Sequence, residues 1–211
     1  MNNYSEEEYK IFSRLFILKE FSEENLKKLS NIKIGIVGMS VGVLIGWLTA
    51  EIVIEWIITV CIGIMGTLFA LNNIRLKKGT KVPVRAVNTK KGYFWTTIAG
   101  FTSFISHNGG PPWQIFTLPL SLSKSIFVGT SVIAFSYCNA IKLIPYFFLG
   151  QLSFLSIKIT LYLMMPAALA VLVGVKLVKL IPEALFFKAV TWALLIISIK
   201  LIYDGISMGI I

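Results

Sequence analysis

Six long apolar runs, at 34–48, 52–74, 93–120, 125–149, 157–177 and 184–206, take up most of this 211-residue chain, with only short polar stretches between them. A helix needs about 20 apolar residues to cross roughly 30 Å of hydrocarbon. Runs of this length and number leave little sequence for anything else. Composition agrees: 56% of the residues are hydrophobic and 14% are charged, where a soluble domain is about a quarter charged. A disordered chain, a soluble nucleic-acid binder and a disulfide-stapled secreted domain are excluded on these grounds. The fold class expected is all-α: a polytopic integral membrane protein of about six transmembrane segments, packed in the lipid bilayer as antiparallel neighbours. The first run carries Gly35, Gly38, Gly42 and Gly46, a composition suited to close helix contact in lipid. Cys61 and Cys138 lie inside apolar runs without C-x-x-C spacing. They read as small buried hydrophobes, with no metal site and no redox pair.

The net charge of +10 is unevenly spread. Six of the ten acids fall before residue 25; from there on, 17 basic residues face only Glu51, Glu55, Glu183 and Asp204. A basic surplus in short loops between apolar runs marks membrane topology, not nucleic acid. Arg75, Lys77, Lys78, Lys81, Arg85, Lys90 and Lys91 form the densest cluster, with no acid among them. The positive-inside bias places this loop in the cytoplasm, against lipid headgroups or a soluble partner. Residues 1–32 lack the basic start, apolar middle and cleavage site of a signal peptide. An amphipathic helix is expected over 7–21, with Ile11, Leu15, Ile17 and Leu18 toward the membrane surface.

The third run is interrupted, and its interruption is the most informative stretch. Residues 107–112 read His-Asn-Gly-Gly-Pro-Pro between apolar flanks. Two prolines without amide protons and two glycines at about 1 kcal/mol each do not continue a helix. Irregular backbone at membrane depth persists only where it lines a cavity or is buried in protein. The helix should restart near Pro112 or Trp113, since proline suits the first helical position. The new helix start would carry about half a unit of positive charge and present free amides, a seat for an anion. Thr102, Ser103, Ser106, Asn108 and Gln114 add hydrogen-bonding groups. His107 is the sole histidine. It cannot hold a metal alone, and it is either structural or a proton or ligand donor. The segment either crosses once or re-enters.

A second polar cluster lies in the fourth run. Asn139 and Lys142 are three apart and share a helix face. An ionisable residue inside a span points to function, and lysine beside the broken helix would favour anions. Lys142 is also about seven residues from the helix end, so snorkelling to the cytoplasmic headgroups is the alternative. Glu55 and Glu183 read as acids at helix starts. No partner is evident for Lys188 or Lys200. The chain has no HExxH, GxSxG or P-loop motif and no paired carboxylates at the break, so neither an enzyme nor a cofactor is expected.

A weak internal repeat has an offset of 128: Val43-Leu-Ile-Gly46 aligns with Val171-Leu-Val-Gly174, and Glu55 with Glu183. It pairs the first two runs with the last two. Internal repeats are the usual build of secondary transporters. If the broken segment crosses once the repeats are parallel; if it re-enters they are inverted.

Gly100-Phe-Thr-Ser-Phe-Ile-Ser-His-Asn-Gly-Gly-Pro-Pro112 and Asn139-x-x-Lys142-x-x-Pro145-Tyr146 together resemble the sulfite exporter TauE/SafE family of membrane transporters. The resemblance covers about residues 30–206. It implies a multi-pass secondary transporter of the bacterial inner membrane, moving small sulfur oxyanions such as sulfite or organosulfonates. By the same resemblance His107, Asn108, Gly109, Gly110, Pro111, Asn139 and Lys142 are the substrate-binding candidates. The chain divides accordingly into a cytoplasmic or interfacial amphipathic segment (1–32), two spans that remain of the first repeat (33–75), the basic cytoplasmic loop (76–92) and the second repeat (93–211). Family members resemble two fused repeats, each with its own break. The expectation here is that the first break is missing, through a late start assignment, a degenerate gene, or a site completed by another chain. The competing reading is therefore a non-transporting membrane subunit or truncated remnant that needs a partner chain, a second copy or a missing half, to complete its site.

Overall fold

A computed structural model of the chain describes residues 32–76, 88–151 and 154–210. Among the described residues there are helices and turns and no strand. The helices are α1 (Ile32–Thr49), α2 (Glu55–Leu76), α3 (Thr89–Ser106), α4 (Gly110–Thr117), α5 (Lys124–Phe148), α6 (Phe154–Leu180) and α7 (Glu183–Ile210). A short 3-10 turn, Leu118–Leu120, follows α4. Helices α2, α5, α6 and α7 are each long and apolar enough to cross a membrane, and α1 is a shorter apolar helix. The protein is an all-α membrane protein whose third apolar run is split between α3 and α4. The amphipathic helix expected over 7–21 and most of the basic loop lie outside the described residues.

Helix directions follow from the contacts. The end where α2 stops at Arg75 and α3 begins with Lys90 and Lys91 is here the near end. α1 runs parallel to α3, since Ile34 packs on Gly92 and Gly46 on Phe104. It also runs parallel to α5: Ser40 Oγ and Tyr137 OH are 3.0 Å apart, and Trp47 stacks on Phe148. α2 and α7 are antiparallel, with Trp56 against Gly209 and Asn73 against Thr191. Lys124 Nζ, at the start of α5, donates to Lys179 O and Ile181 O at the end of α6, so α6 returns to the near end. Under the offset of 128, α1 corresponds to α6 and α2 to α7. Both pairs run in opposite senses.

Small residues make the seams possible. Lipid tails are as apolar as leucine, so helices in a bilayer associate by close packing more than by hydrophobicity. At Gly42 a Cβ would lie 2.1 Å from Thr97 O and 2.6 Å from Phe101 N; at Gly100 it would lie 2.3 Å from Met39 O. The α1 and α3 backbones therefore touch. Met39, Val43, Ala99, Phe104, Trp113, Phe116, Ala134 and Cys138 form the core joining α1, α3, α4 and α5. Over Lys158–Leu180, α6 has no buried residue, and the apolar side chains of that stretch are exposed around the helix, the expected pattern of a helix facing lipid.

Two sequence expectations change. Cys138 is buried, but Cys61 is exposed on the outer face of α2. Lys200 has a partner, Asp204, one turn on. Glu55 and Glu183 do open their helices as expected.

Candidate functional site

The break is built by residues that end one helix and start another without a gap. α3 is capped at its start by Asn88, whose side chain accepts from Lys91 N–H at 3.1 Å. It ends at His107, which adopts a left-handed conformation with φ 56°, a region open to few non-glycine residues. The His107 N–H and the Asn108 N–H both donate to Thr102 O, and Thr102 Oγ1 donates to Asn108 O at 3.3 Å. Ser106 Oγ also donates to Thr102 O. Thr102 and Ser106 thus hold the turn together, instead of offering free hydroxyls to a ligand.

The chain then reverses. A Cβ on Gly109 would lie 2.6 Å from Ala99 O and 2.8 Å from Ser103 Cβ, so only glycine lets the returning strand lie this close to α3. One turn on, Trp113 sits beside Thr96, and Phe116 beside Gly92. α3 and α4 are therefore an antiparallel helical hairpin that enters and leaves at the near end, with its tip at His107–Gly109. The segment is re-entrant, not a single crossing.

α4 starts at Gly110, two or three residues before the expected restart at Pro112 or Trp113. The reason is physical: amides of a first helical turn have no intrahelical acceptor, so Pro111 and Pro112 fit there without loss. This leaves fewer donors at the tip than a proline-free start would. Pro111 and Pro112 have none, and Trp113 N–H donates to Gly109 O at 3.2 Å. Of the first-turn amides, Gly110 N–H remains for a ligand.

α5 braces the tip from the side. Trp113 Nε1 donates to Ser131 Oγ at 2.9 Å, and the Phe135 ring packs edge-on to Trp113. Lys142 is 4% exposed, and its Nζ donates to Ser103 O at 3.0 Å and to Ser103 Oγ at 3.1 Å. The amine therefore points inward to α3 and lies at the end of α5 away from the basic loop, so the snorkelling alternative does not hold. Tyr146 OH donates to Phe104 O at 2.9 Å, and its ring meets His107 edge-on at 6.0 Å. Pro145 is buried within α5.

An ammonium has three donors, and both of these bonds go to neutral oxygens. Among the described residues, no carboxylate contacts Lys142. His107 lies within electrostatic reach of Lys142 and of Glu55 at the start of α2.

Of the seven candidates, the structure gathers His107, Asn108, Gly109, Gly110, Pro111 and Lys142 around the tip, with Ser103 linking Gly109 to Lys142. Asn139 stands on the same side of α5 as Lys142 yet is exposed, between Phe135 and Tyr146 along the helix. Ser103, as the anchor of Lys142, and Tyr146, as a brace of the tip, were not singled out for these roles from sequence. Their partners are 39 and 42 residues away, which no local pattern reveals.

Comparison with known proteins gives a family and no individual relative. The model of the sulfite exporter TauE/SafE family matches residues 11–201. No curated protein and no solved structure matches the chain. The chain belongs to the sulfite exporter TauE/SafE family.

Proposed function

We propose that this member of the family is a secondary transporter of small sulfur oxyanions, sulfite or an organosulfonate, and that the anion sits at the hairpin tip between Gly110 and Lys142. The observation that carries this reading is the buried Lys142 ammonium beside a helix start, with no carboxylate among the described residues on it. A buried charge without a counter-charge is costly. An oxyanion at the tip would neutralise it and would take the remaining ammonium proton and the Gly110 N–H. The start of α4 adds its dipole to the same attraction. At an effective dielectric of 20, unit charges 4 Å apart attract by about 4 kcal/mol, ample to favour an anion over a neutral solute.

The other candidates have distinct parts in this reading. Gly109 and Pro111 shape the tip so that a ligand can approach the backbone. Asn108 and the exposed Asn139 offer amide donors at the mouth. His107 contributes two ring nitrogens that can donate or accept a hydrogen bond at the tip. The sequence carries no P-loop, which fits transport driven by a gradient. The positive-inside bias puts the near end in the cytoplasm of a bacterial inner membrane, and the tip toward the opposite face.

The test is labelled sulfite flux into proteoliposomes of the folded, monodisperse protein, with taurine as a sulfonate in parallel. Saturable flux of either anion that falls in Lys142→Met supports the reading. Saturable flux that Lys142→Met leaves unchanged removes the lysine from the mechanism. No flux of either anion counts against transport by this chain.

A further inference from the structure

Behind the hairpin, on the side away from α3, lies a second polar locus that the tip does not use. Ser198 is 0% exposed, and its Oγ has no hydrogen-bond partner. It lies where three helices meet: a Cβ on Gly66 of α2 would be 2.2 Å from Ser198 Oγ of α7 and 3.3 Å from Pro111 Cβ of α4. Thr67 Oγ1, next to Gly66, and Gln114 Oε1, one turn beyond Pro111, are also buried without a partner. A fourth such atom, Thr130 Oγ1, is on α5. Buried polar atoms in native proteins are bonded to protein, water or a ligand. Three orphans on three adjoining helices therefore point to a polar occupant of that seam.

The seam has a direction and a sign. Toward the near end it continues to Asn73, which donates to Thr191 Oγ1, and reaches Arg75 at the end of α2. Between the orphans and that end, Ala70, Leu194 and Leu195 close on Leu118 in an apolar plug. Residues 66–73, 111–114 and 191–198 contain no acid. The Ser198 and Thr67 hydroxyls and the Gln114 Nε2–H can donate to an oxyanion, no carboxylate stands in these stretches to hold a cation, and Gln114 Oε1, an acceptor, is left for a hydroxyl or water proton.

We infer that the α2–α4–α7 seam is an anion subsite beside the tip, about midway along α2 and α7, with Ser198 as its innermost contact and the Ala70–Leu194–Leu195 plug as its closed end toward the near end. The inference rests on the proposed anion at the tip. It assigns Ser198, Thr67 and Gln114 to receive the anion as it leaves Lys142.

The experiment is modification of Ser198→Cys by 2-sulfonatoethyl methanethiosulfonate, an anionic thiol reagent, in proteoliposomes of the full chain. Mass spectrometry locates the adduct. The control is Met165→Cys, equally far from the α6–α7 turn but 76% exposed on the lipid side. Only an ionised thiol that water and reagent both reach is modified, so Ser198→Cys should react roughly tenfold faster than Met165→Cys, or more. Sulfite flux is measured on vesicles of the unmodified chain. Equal reactivity of the two cysteines overturns the seam, and flux in that case leaves the tip site standing. Modification of Ser198→Cys without any flux supports the seam as an anion-accessible locus while counting against transport. Ser198→Cys is close to isosteric; should it fail to fold, Gln114→Cys on the same seam is read in the same way.

Discussion

Replacing Lys142 by methionine keeps the aliphatic stem and removes the ammonium, so it separates the charge from the packing. Two effects follow from the geometry. In the free protein, Ser103 O and Ser103 Oγ lose a charged donor, a loss of roughly 1.5–3 kcal/mol for each bond to a charged group. The same change removes a buried charge that no carboxylate among the described residues offsets; burying an ion costs several kcal/mol, so the gain is of comparable size. The folded protein should therefore change stability by about 1 kcal/mol or less in either direction. In the complex the change is one-sided. A hydrogen bond to a charged group contributes roughly 1.5–3 kcal/mol, and each 1.4 kcal/mol is tenfold, so sulfite affinity should fall by about 10- to 150-fold. Titration calorimetry in detergent gives the affinity, and thermal unfolding of the same sample gives the stability. Lys142→Arg keeps the charge and should lose less affinity than Lys142→Met. A methionine variant that binds sulfite within twofold of the parent would refute the argument, as would one that binds poorly only because it has unfolded.

Further outcomes follow from other contacts. Gly42→Ala forces a methyl into the α3 backbone at Thr97 and Phe101; overpacking of this kind costs about 1–3 kcal/mol and should lower the thermal midpoint and the folded yield. Gly66→Ala places a methyl against Ser198 Oγ, so flux should fall while sulfite binding at the tip is kept, read by calorimetry beside transport. Tyr146→Phe leaves Phe104 O without its donor, a loss of about 1 kcal/mol, and should reduce flux with little change in fold as judged by circular dichroism. His107→Ala removes the ring that packs on Tyr146 at the tip and should lower flux with little change in fold as judged by circular dichroism.

The sequence carried the fold class well, because six apolar runs in a short chain leave few alternatives. It also located the break, since two glycines and two prolines within a span interrupt a helix in any context. The restart was misplaced by two or three residues because first-turn amides need no partner, so Pro111 and Pro112 belong inside α4 and not before it. The direction of α4 was not legible: it depends on Gly109 lying against Ala99 and Ser103, and on Thr102 tying both ends of the turn. Lys142 was identified, but its proximity to the helix end left headgroup contact open. Its inward orientation rests on Ser103, a residue of another helix. Asn139 shows the limit of helical spacing: three residues from Lys142, it lies on the same side of α5 and is exposed where the lysine is buried. Ser198 was passed over because a lone serine in an apolar helix carries no local signal; only its position against Gly66 and Pro111 gives it one.

The central claim, an oxyanion held between Lys142 and the start of α4, is tested most directly by crystals of the protein grown with selenite, a sulfite analogue whose selenium scatters anomalously. The account predicts one strong anomalous peak at the hairpin tip, within hydrogen-bond distance of Lys142 Nζ and Gly110 N–H, that is absent in Lys142→Met. No peak at the tip, or one there that survives Lys142→Met, would contradict it.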